Sequence, residues 1–225
     1  MKKTKIILNY SLADISLSRV SIVNDLGVWF DVKLSFNDHL HFIRNKAFAK
    51  LGFLKRTCAN FRDQFALKTL YQSIVRSHFD YALLIWHPYS KTSIQSLEKV
   101  QNNFIRFLCF QCFVFRTPHS DYEVESSIFN IFSLETRFLQ IKLKFLYKII
   151  NYMIDCPEIL QNLNFKINAK NSRKKNLFYI KTVTTSYMSN SPSNILMLAG
   201  NFVEHIDFFN TSLTEFSVQI LRYIK

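Results

Sequence analysis

The sequence predicts a mainly α-helical fold: a short N-terminal β-hairpin, then a helical bundle and further C-terminal helices. The 225 residues include only 3 glycines and 4 prolines, which is too few for the many tight turns of an all-β protein. Apolar residues recur at helical spacing over several long stretches, whereas alternating runs occur only near the N-terminus. A hydrophobic fraction of 48% is typical of a globular chain, and a chain of this length buries roughly 70% of its unfolded surface.

Three β-branched or alternating runs near the N-terminus predict strands, at residues 4–8, 17–23 and 26–32. Asn24 and Asp25 lie between the last two runs and are typical turn residues. The sequence therefore predicts a hairpin that turns at this pair, with a possible bulge at Gly27.

A long amphipathic helix follows the hairpin. Ser35 or Asn37 is the expected N-cap, and Asp38 complements the positive end of the helix. Its apolar residues form one stripe, with Lys46 and Lys50 on one flank and Arg44 and Lys55 on the other. The members of the stripe are Leu40, Ile43, Ala47, Leu51, Leu54 and Cys58.

Two more amphipathic helices are expected before residue 116. Asp63 is the predicted N-cap of one, and the other spans residues 90–110. Residues 80–86 are either a kinked continuation of the second helix or a short separate one. Because three such helices must bury their stripes on one another, the sequence predicts a helical bundle.

The second half of the chain begins after a break at residues 117–120. A helix from Ser133 to about Asp155 is apolar around most of its circumference, so we expect it to be central. A basic loop is predicted at residues 166–181, followed by one or two closing helices. These signals divide the chain at 1–35 (hairpin), 36–116 (helical bundle) and 117–225 (C-terminal helical region).

The charge balance favours anionic partners. Lys and Arg number 29 against 16 Asp and Glu, a formal net charge of +13, which attracts nucleic acid, acidic membranes or acidic proteins. Cys109 and Cys112 have no second metal-ligand pair at zinc-finger spacing, so the four cysteines indicate a reduced compartment. Without a signal peptide or an apolar run of about 18 residues, we expect a cytoplasmic or nuclear, intracellular protein that makes no use of a membrane.

Two sequence blocks carry a resemblance to a known family. Residues 25–56 read DLGVWFDVKLSFNDHLHFIRNKAFAKLGFLKR, and residues 65–88 read FALKTLYQSIVRSHFDYALLIWHP. Together they resemble the C-terminal part of a jockey-like non-LTR retrotransposon reverse transcriptase (RNA-directed DNA polymerase), where the last palm hairpin passes into the thumb. The motifs LEKVQ at residues 97–101, SLETR at 133–137 and FLYKIIN at 145–151 extend this resemblance in the family's order.

The chain also departs from the family pattern at several positions. The family usually has a second Arg where Phe138 stands, often an acidic residue at Lys142, and Gly at Tyr152. It has Arg at the position of Ile195. These departures are expected in a copy of a mobile element that has drifted.

The resemblance implies a polymerase part without its catalytic centre. The family's paired metal-binding aspartates precede the palm hairpin, and this chain has no two adjacent acidic residues. Phosphoryl transfer by a polymerase requires close carboxylates that hold two divalent ions. We therefore expect no enzymatic activity, no catalytic residue, no metal site and no cofactor.

The basic residues of the chain are suited to binding the backbone of RNA or an RNA–DNA duplex without sequence preference. By resemblance, the hairpin contacts the primer and the helices hold the duplex. Cations neutralise phosphates and Trp29 can stack on a base or sugar. The predicted nucleic-acid-binding residues are Trp29, Arg44, Lys46, Lys50, Lys55, Arg56, Lys68, Arg76, Lys99 and Arg106.

Two alternatives stay open at this point. Instead of a duplex-binding fragment, the chain could be a non-enzymatic basic interaction module for an acidic protein, or the translated relic of a decayed mobile element without a selected function. The family resemblance also implies upstream polymerase domains as partners. An apolar face or unpaired strand edge should then be exposed near residues 6–32.

Overall fold

The computed structural model describes residues 10–116, 121–167, 176–182, 185–203 and 205–224. It is mainly helical, with antiparallel strand pairs at its N-terminal end, which confirms the predicted fold class. The strand predicted at residues 4–8 and the break predicted at 117–120 lie outside the described residues. The same is true of residues 168–175 of the predicted basic loop.

Two short hairpins open the described chain. Strands β1 (Ser11–Leu12) and β2 (Ile15–Ser16) pair first, followed by β3 (Ile22–Asp25) and β4 (Val28–Asp31). The turn of the second hairpin lies at Leu26 and Gly27, so the turn predicted at Asn24 and Asp25 is two residues too early. Both turn residues have positive φ, 46° and 85°, as a type I′ turn requires, and Gly27 fits this conformation without strain.

Helix α1 (Asn37–Thr57) buries the whole predicted stripe, from Leu40 to Cys58. Its predicted caps were wrong, because Phe36 occupies the N-cap in a left-handed conformation and no side chain caps it there. Asp31, at the end of β4, instead stabilises the turn that leads into the helix. Its carboxylate accepts hydrogen bonds from the backbone N–H groups of Lys33, Ser35 and Phe36, at 2.7 to 3.1 Å.

A second helical stretch runs from Gln64 to Asp80. It consists of α2 (Gln64–Leu70), a π-helical segment (Tyr71–Arg76) and α3 (Ser77–Asp80). Asp63 caps it as predicted, accepting from the N–H groups of Phe65 and Ala66. Ala82 has a left-handed φ of 51°, which makes α4 (Leu83–Trp86) a separate short helix.

Helix α5 (Lys91–Gln111) begins after Ser90, whose hydroxyl accepts from the N–H of Ser93. A short helix, α6 (Glu123–Phe129), follows. Helix α7 (Leu134–Ile150) begins at Ser133, as predicted, and Ser133 is its N-cap. It ends five residues before the expected Asp155, because the chain turns through Tyr152, which has a φ of 54°.

The remaining helices are α8 (Pro157–Gln161), α9 (Ser186–Ser189), α10 (Pro192–Phe202) and α11 (Leu213–Ile224). Helices α10 and α11 both pack on α7, which is therefore central, as its all-round apolar surface predicts. An isolated β-bridge joins Phe165 to Phe178 beside this group.

The buried side chains form two clusters along the chain. The first joins β4, α1, α2, the π-helical segment, α4 and α5 to the start of α7, and includes Trp86 and Phe138. The second surrounds the C-terminal half of α7 with α10 and α11, and includes Leu146 and Phe216. Helix α7 contributes to both and connects them.

The hairpins leave apolar side chains in solvent. Leu12 and Ile15 are each 70% exposed, and Leu26 is 84% exposed. Val23 and Val32 are exposed as well. Within the described residues, this agrees with the apolar exposure expected near residues 6–32.

Candidate nucleic-acid interface

Helices α1 and α5 lie side by side and run in the same direction. Arg44, near the start of α1, shares a cleft with Ser93 and Ser96 at the start of α5. Further along, the Lys55 ammonium donates to the Asn103 side chain at 2.7 Å. Beyond the end of α1, the side chain of Gln111 donates to the backbone carbonyl of Ala59. The two helices therefore form a continuous line of contact, and we call its surface the α1–α5 seam, which includes the cations Arg44, Lys55, Lys99 and Arg106.

One end of the seam is a polar cleft of about 200 Å³. Arg44 lines it from α1, and the hydroxyls of Thr92, Ser93 and Ser96 line it from the first turns of α5. The Nε of Arg44 is buried and has no hydrogen-bond partner among the described residues. A guanidinium beside several hydroxyls is an arrangement that suits a phosphate group.

At the other end, two cations lie close together. The Lys55 Nζ lies 5.9 Å from the centre of the Phe107 ring, and Arg106 donates to the Tyr122 hydroxyl at 2.7 Å. Desolvation, and secondarily the charge of Arg106, lowers the pKa of Lys55. An anion placed between these side chains would relieve the repulsion and favour the charged lysine.

Lys99 lies between the two ends on the exposed side of α5. Ser96, Lys99, Asn103 and Arg106 follow each other at intervals of three or four residues, which places them on one face of the helix. In the described part of the chain, none of the four seam cations forms an ion pair with a carboxylate within 4.0 Å. Their charges are therefore available to an external anion.

The opposite flank of α1 carries a second, smaller cationic group. Lys46 and Lys50 lie near His78 of α3, whose pKa is lowered by desolvation and then by both lysines. The Lys46 Nζ also lies 5.8 Å from the centre of the Phe42 ring. Arg56 is exposed near the end of α1. The structure thus places the predicted α1 cations on two separate flanks, as the helical spacing indicates.

Two predicted cations have contacts within the fold. The Lys68 ammonium donates to the backbone carbonyls of Phe129 and Asn130 at 3.2 Å, at the end of α6. Arg76 is largely buried beside Asp80 and Arg137, and its pKa is lowered by desolvation and then by the charge of Arg137. Lys68 therefore joins α2 to the end of α6, whereas the Nε of Arg76 is buried without a hydrogen-bond partner among the described residues.

Trp29 is half-buried on β4, with its ring centre 5.8 Å from that of Phe42. Its indole N–H is buried and has no partner among the described residues. The ring therefore packs between the hairpin and α1 and shows only part of its surface to solvent.

Sequence reasoning missed the polar side chains that complete the seam, namely Ser93, Ser96, Asn103 and Tyr122. The first three could have been found, since they share a helical face with Lys99 and Arg106. Tyr122 could not, because its contact with Arg106 joins residues on different helices.

Comparison with known proteins finds a relative that matches part of the chain. The chain is similar to an uncharacterized protein of Caenorhabditis elegans, with 31% identity over 105 residues. This match covers 47% of the chain and 52% of the relative, so the chain spans about half the length of the curated relative it matches. No family model matches the chain. No solved structure matches it either.

Among the residues that the structure describes, no helix has both the length and the apolar character needed to cross a bilayer.

Proposed function

We propose that the chain corresponds to the thumb-like part of a jockey-like non-LTR retrotransposon reverse transcriptase. In this proposal it binds the backbone of RNA or an RNA–DNA duplex along the α1–α5 seam, without reading base sequence. The ordered series of motifs from residues 25 to 151 supports the family assignment. The observation that carries the binding proposal is the row of four seam cations that lack carboxylate partners among the described residues.

The size of the seam suits a nucleic-acid backbone. Arg44 and Lys55 are eleven residues apart on one helix, or roughly 16 Å at the usual rise per residue. This distance spans several successive phosphates. Contacts of this kind fix position on a strand without specifying sequence, because every nucleotide presents the same phosphate. The hydroxyl and amide groups of Ser96 and Asn103 add uncharged hydrogen-bonding groups to the same line.

The proposal assigns no catalysis to these 225 residues. The chain contains no pair of adjacent acidic residues of the kind that the family uses to hold its two metal ions. Its proposed contribution to polymerisation is to hold the duplex, and the chemistry belongs to the palm.

The seam can be tested by fluorescence anisotropy with a labelled RNA–DNA duplex of 16 base pairs. The double variant Lys99→Gln/Arg106→Gln removes two exposed seam charges, and the expected loss of affinity is about tenfold or more at low salt. The variant Lys33→Gln/Arg222→Gln is the matched control, since it removes two exposed charges from other elements. It should lose markedly less affinity than the seam variant.

Equal losses of affinity in the two double variants would contradict binding at the seam and would indicate only a general effect of net charge. Binding of wild type that does not change with salt would contradict backbone recognition altogether. Incorporation of nucleotides by the purified chain alone would contradict the assignment of catalysis to another segment.

A further inference from the structure

A cavity of about 690 Å³, separate from the seam, lies beside α7. Helix α7 contributes Glu135, Leu139 and Lys142 to its wall, and α10 contributes Ile195 and Leu198. The segment between α4 and α5 closes another side. We call this cavity the Lys142 pocket. Neither the seam cations nor the other predicted nucleic-acid-binding residues line it.

Lys142 makes an unusual contact in this pocket. Its Nζ lies 2.9 Å from the Nε2 of His87, and the pair joins α7 to the end of α4. Desolvation, and then the charge of Lys142, lowers the pKa of His87 to about 3, so the imidazole is neutral at physiological pH. The ammonium therefore donates, and Nε2 accepts. The other ring nitrogen, Nδ1, is buried without a partner among the described residues.

The positive charge of Lys142 is not neutralised by a neighbouring carboxylate. Among the described residues, no carboxylate oxygen lies within 4.0 Å of its Nζ. Burial of an ammonium without a counter-ion is unfavourable. Desolvation lowers the pKa of Lys142 to about 8, an effect that the charge of Glu135 partly offsets. A bound anion would remove this penalty.

The rest of the pocket determines what kind of anion fits. Leu139, Ile195, Leu198 and Phe202 also line the pocket and make part of its wall apolar. A fully hydrated inorganic ion would gain nothing from such a wall, whereas an apolar group would be removed from water. The pocket is also much larger than a single inorganic anion requires.

We propose that the Lys142 pocket binds a small organic carboxylate with an apolar body. The carboxylate pairs with the Lys142 ammonium, and the body packs on Leu139, Ile195 and Leu198. His87 orients the ammonium by accepting one of its hydrogen bonds. This proposal does not depend on nucleic-acid binding, because the two sites share no residue.

Other ionisable groups in the wall must be considered for the pH dependence. From the elements packed around Lys142 they are His87, Tyr89, Lys91, Glu135 and Tyr223. His87 is already neutral at physiological pH, and among the described wall residues Glu135 is acidic, whereas Lys91 and Lys142 are basic. The wall therefore has an excess of positive charge below the pKa of Lys142, and anion binding should weaken as the pH rises above about 8.

The test uses 4-phenylbutyrate as the anionic probe and 4-phenylbutyramide as its neutral analogue, with affinity measured by isothermal titration calorimetry. The carboxylate should bind the wild-type chain roughly tenfold more tightly than the amide at pH 7, since a charge-assisted hydrogen bond is gained. Its affinity should fall from pH 7 to pH 9, while that of the amide should not. Equal affinities, or a pH-independent preference for the carboxylate, would overturn the proposal.

The position of the probe can be established on the wild-type chain by acetylation with acetic anhydride and mass spectrometry. The carboxylate should protect Lys142 at least several-fold and leave Lys99 unprotected. The variant Lys142→Met should lose the preference for the carboxylate, and Lys142→Arg should retain part of it. Unchanged acetylation of Lys142 at saturating probe would overturn the proposal whether or not the variants fold.

Discussion

Asp80 and Arg137 form a forked ion pair that joins the end of α3 to the first turns of α7. The Nη2 of Arg137 lies 2.9 Å from Oδ2 of Asp80, and its Nε lies 3.2 Å from the same oxygen. Both side chains are mostly buried. Arg76 lies near enough for the charges of both Asp80 and Arg137 to affect its pKa. This pair therefore connects the first half of the chain to the helix on which the second half packs.

Removal of the Asp80 carboxylate should destabilise the fold more than the loss of an exposed ion pair would. In Asp80→Asn, Arg76 and Arg137 would repel each other in a partly buried position, and we expect a loss of about 1–3 kcal/mol in unfolding free energy. Urea unfolding monitored by circular dichroism measures it. Arg137→Lys, which keeps the charge but not the fork, should lose less. A loss under about 0.5 kcal/mol in Asp80→Asn would show that the pair contributes no more than an exposed one.

Asp31 should make the start of α1 sensitive to acid. Desolvation acts to raise the pKa of its carboxyl, but the hydrogen bonds from Ser35, Lys33 and Phe36 together hold it below the usual value of 3.8. A lowered folded-state pKa contributes stability above the unfolded pKa, and this stability is lost as the pH falls through the folded pKa.

Asp31→Ala should therefore cost about 1 kcal/mol at pH 7, the range of a lost capping side chain, and progressively less below pH 4. Thermal unfolding between pH 2.5 and 7 measures both effects. Asp38→Ala is the control, since Asp38 lies in the first helical turn and its side chain accepts no hydrogen bond from the residues that the structure describes. An equal cost in the control would contradict the role given to Asp31.

Glu98 should have the opposite pH dependence. Its carboxylate accepts hydrogen bonds from the Gln101 side chain at 2.8 Å and from the Leu134 N–H at 2.9 Å. Desolvation affects the pKa of Glu98 more than these hydrogen bonds do and raises it above 4.5. A raised folded-state pKa means that stability falls as the pH rises from the unfolded value through the folded one. The stability of wild type relative to Glu98→Gln should therefore decrease between pH 4 and 7. Urea titrations at several pH values test this, with Glu158→Gln as an exposed control; an increase would contradict it.

Gly52 and Gly200 provide a matched pair of glycine-to-alanine substitutions within helices. A Cβ at Gly200 would lie 2.5 Å from the Phe178 ring and 2.9 Å from Leu146, so Gly200→Ala should cost about 1–3 kcal/mol. A Cβ at Gly52 would meet only the Arg56 guanidinium at 3.5 Å, so Gly52→Ala should stabilise by up to about 1 kcal/mol. Melting temperatures that shift in the same direction for both variants would contradict this packing.

The sequence predicted those parts of the fold that depend on local spacing. The α1 stripe, the Asp63 cap and the helix starts at Ser90 and Ser133 follow from residues close together in the chain, and the structure confirms them. The sequence did not predict the role of Asp31 at the start of α1, because Ser35 and Asn37 are typical capping residues and lie closer to the helix. The end of α7 was missed because Tyr152, a residue that rarely has positive φ, makes the turn.

Long-range contacts decided which candidate cations share a surface. Helical spacing separated Arg44 and Lys55 from Lys46 and Lys50, but it could not show that α5 lies parallel to α1 on one flank. The contacts of Lys68 with carbonyls more than 60 residues away could not be predicted from helical spacing either. The pairing of Lys142 with His87 joins residues 55 positions apart and has no local signal.

The salt dependence of duplex binding tests the central claim most directly. Affinity of the wild-type chain for an RNA–DNA duplex, measured from 50 to 200 mM salt, should fall with a log–log slope of about −3 to −4 if the four seam cations each neutralise one phosphate. Lys99→Gln/Arg106→Gln should reduce this slope by about 2. A slope near zero for the wild-type chain would contradict a phosphate-binding seam.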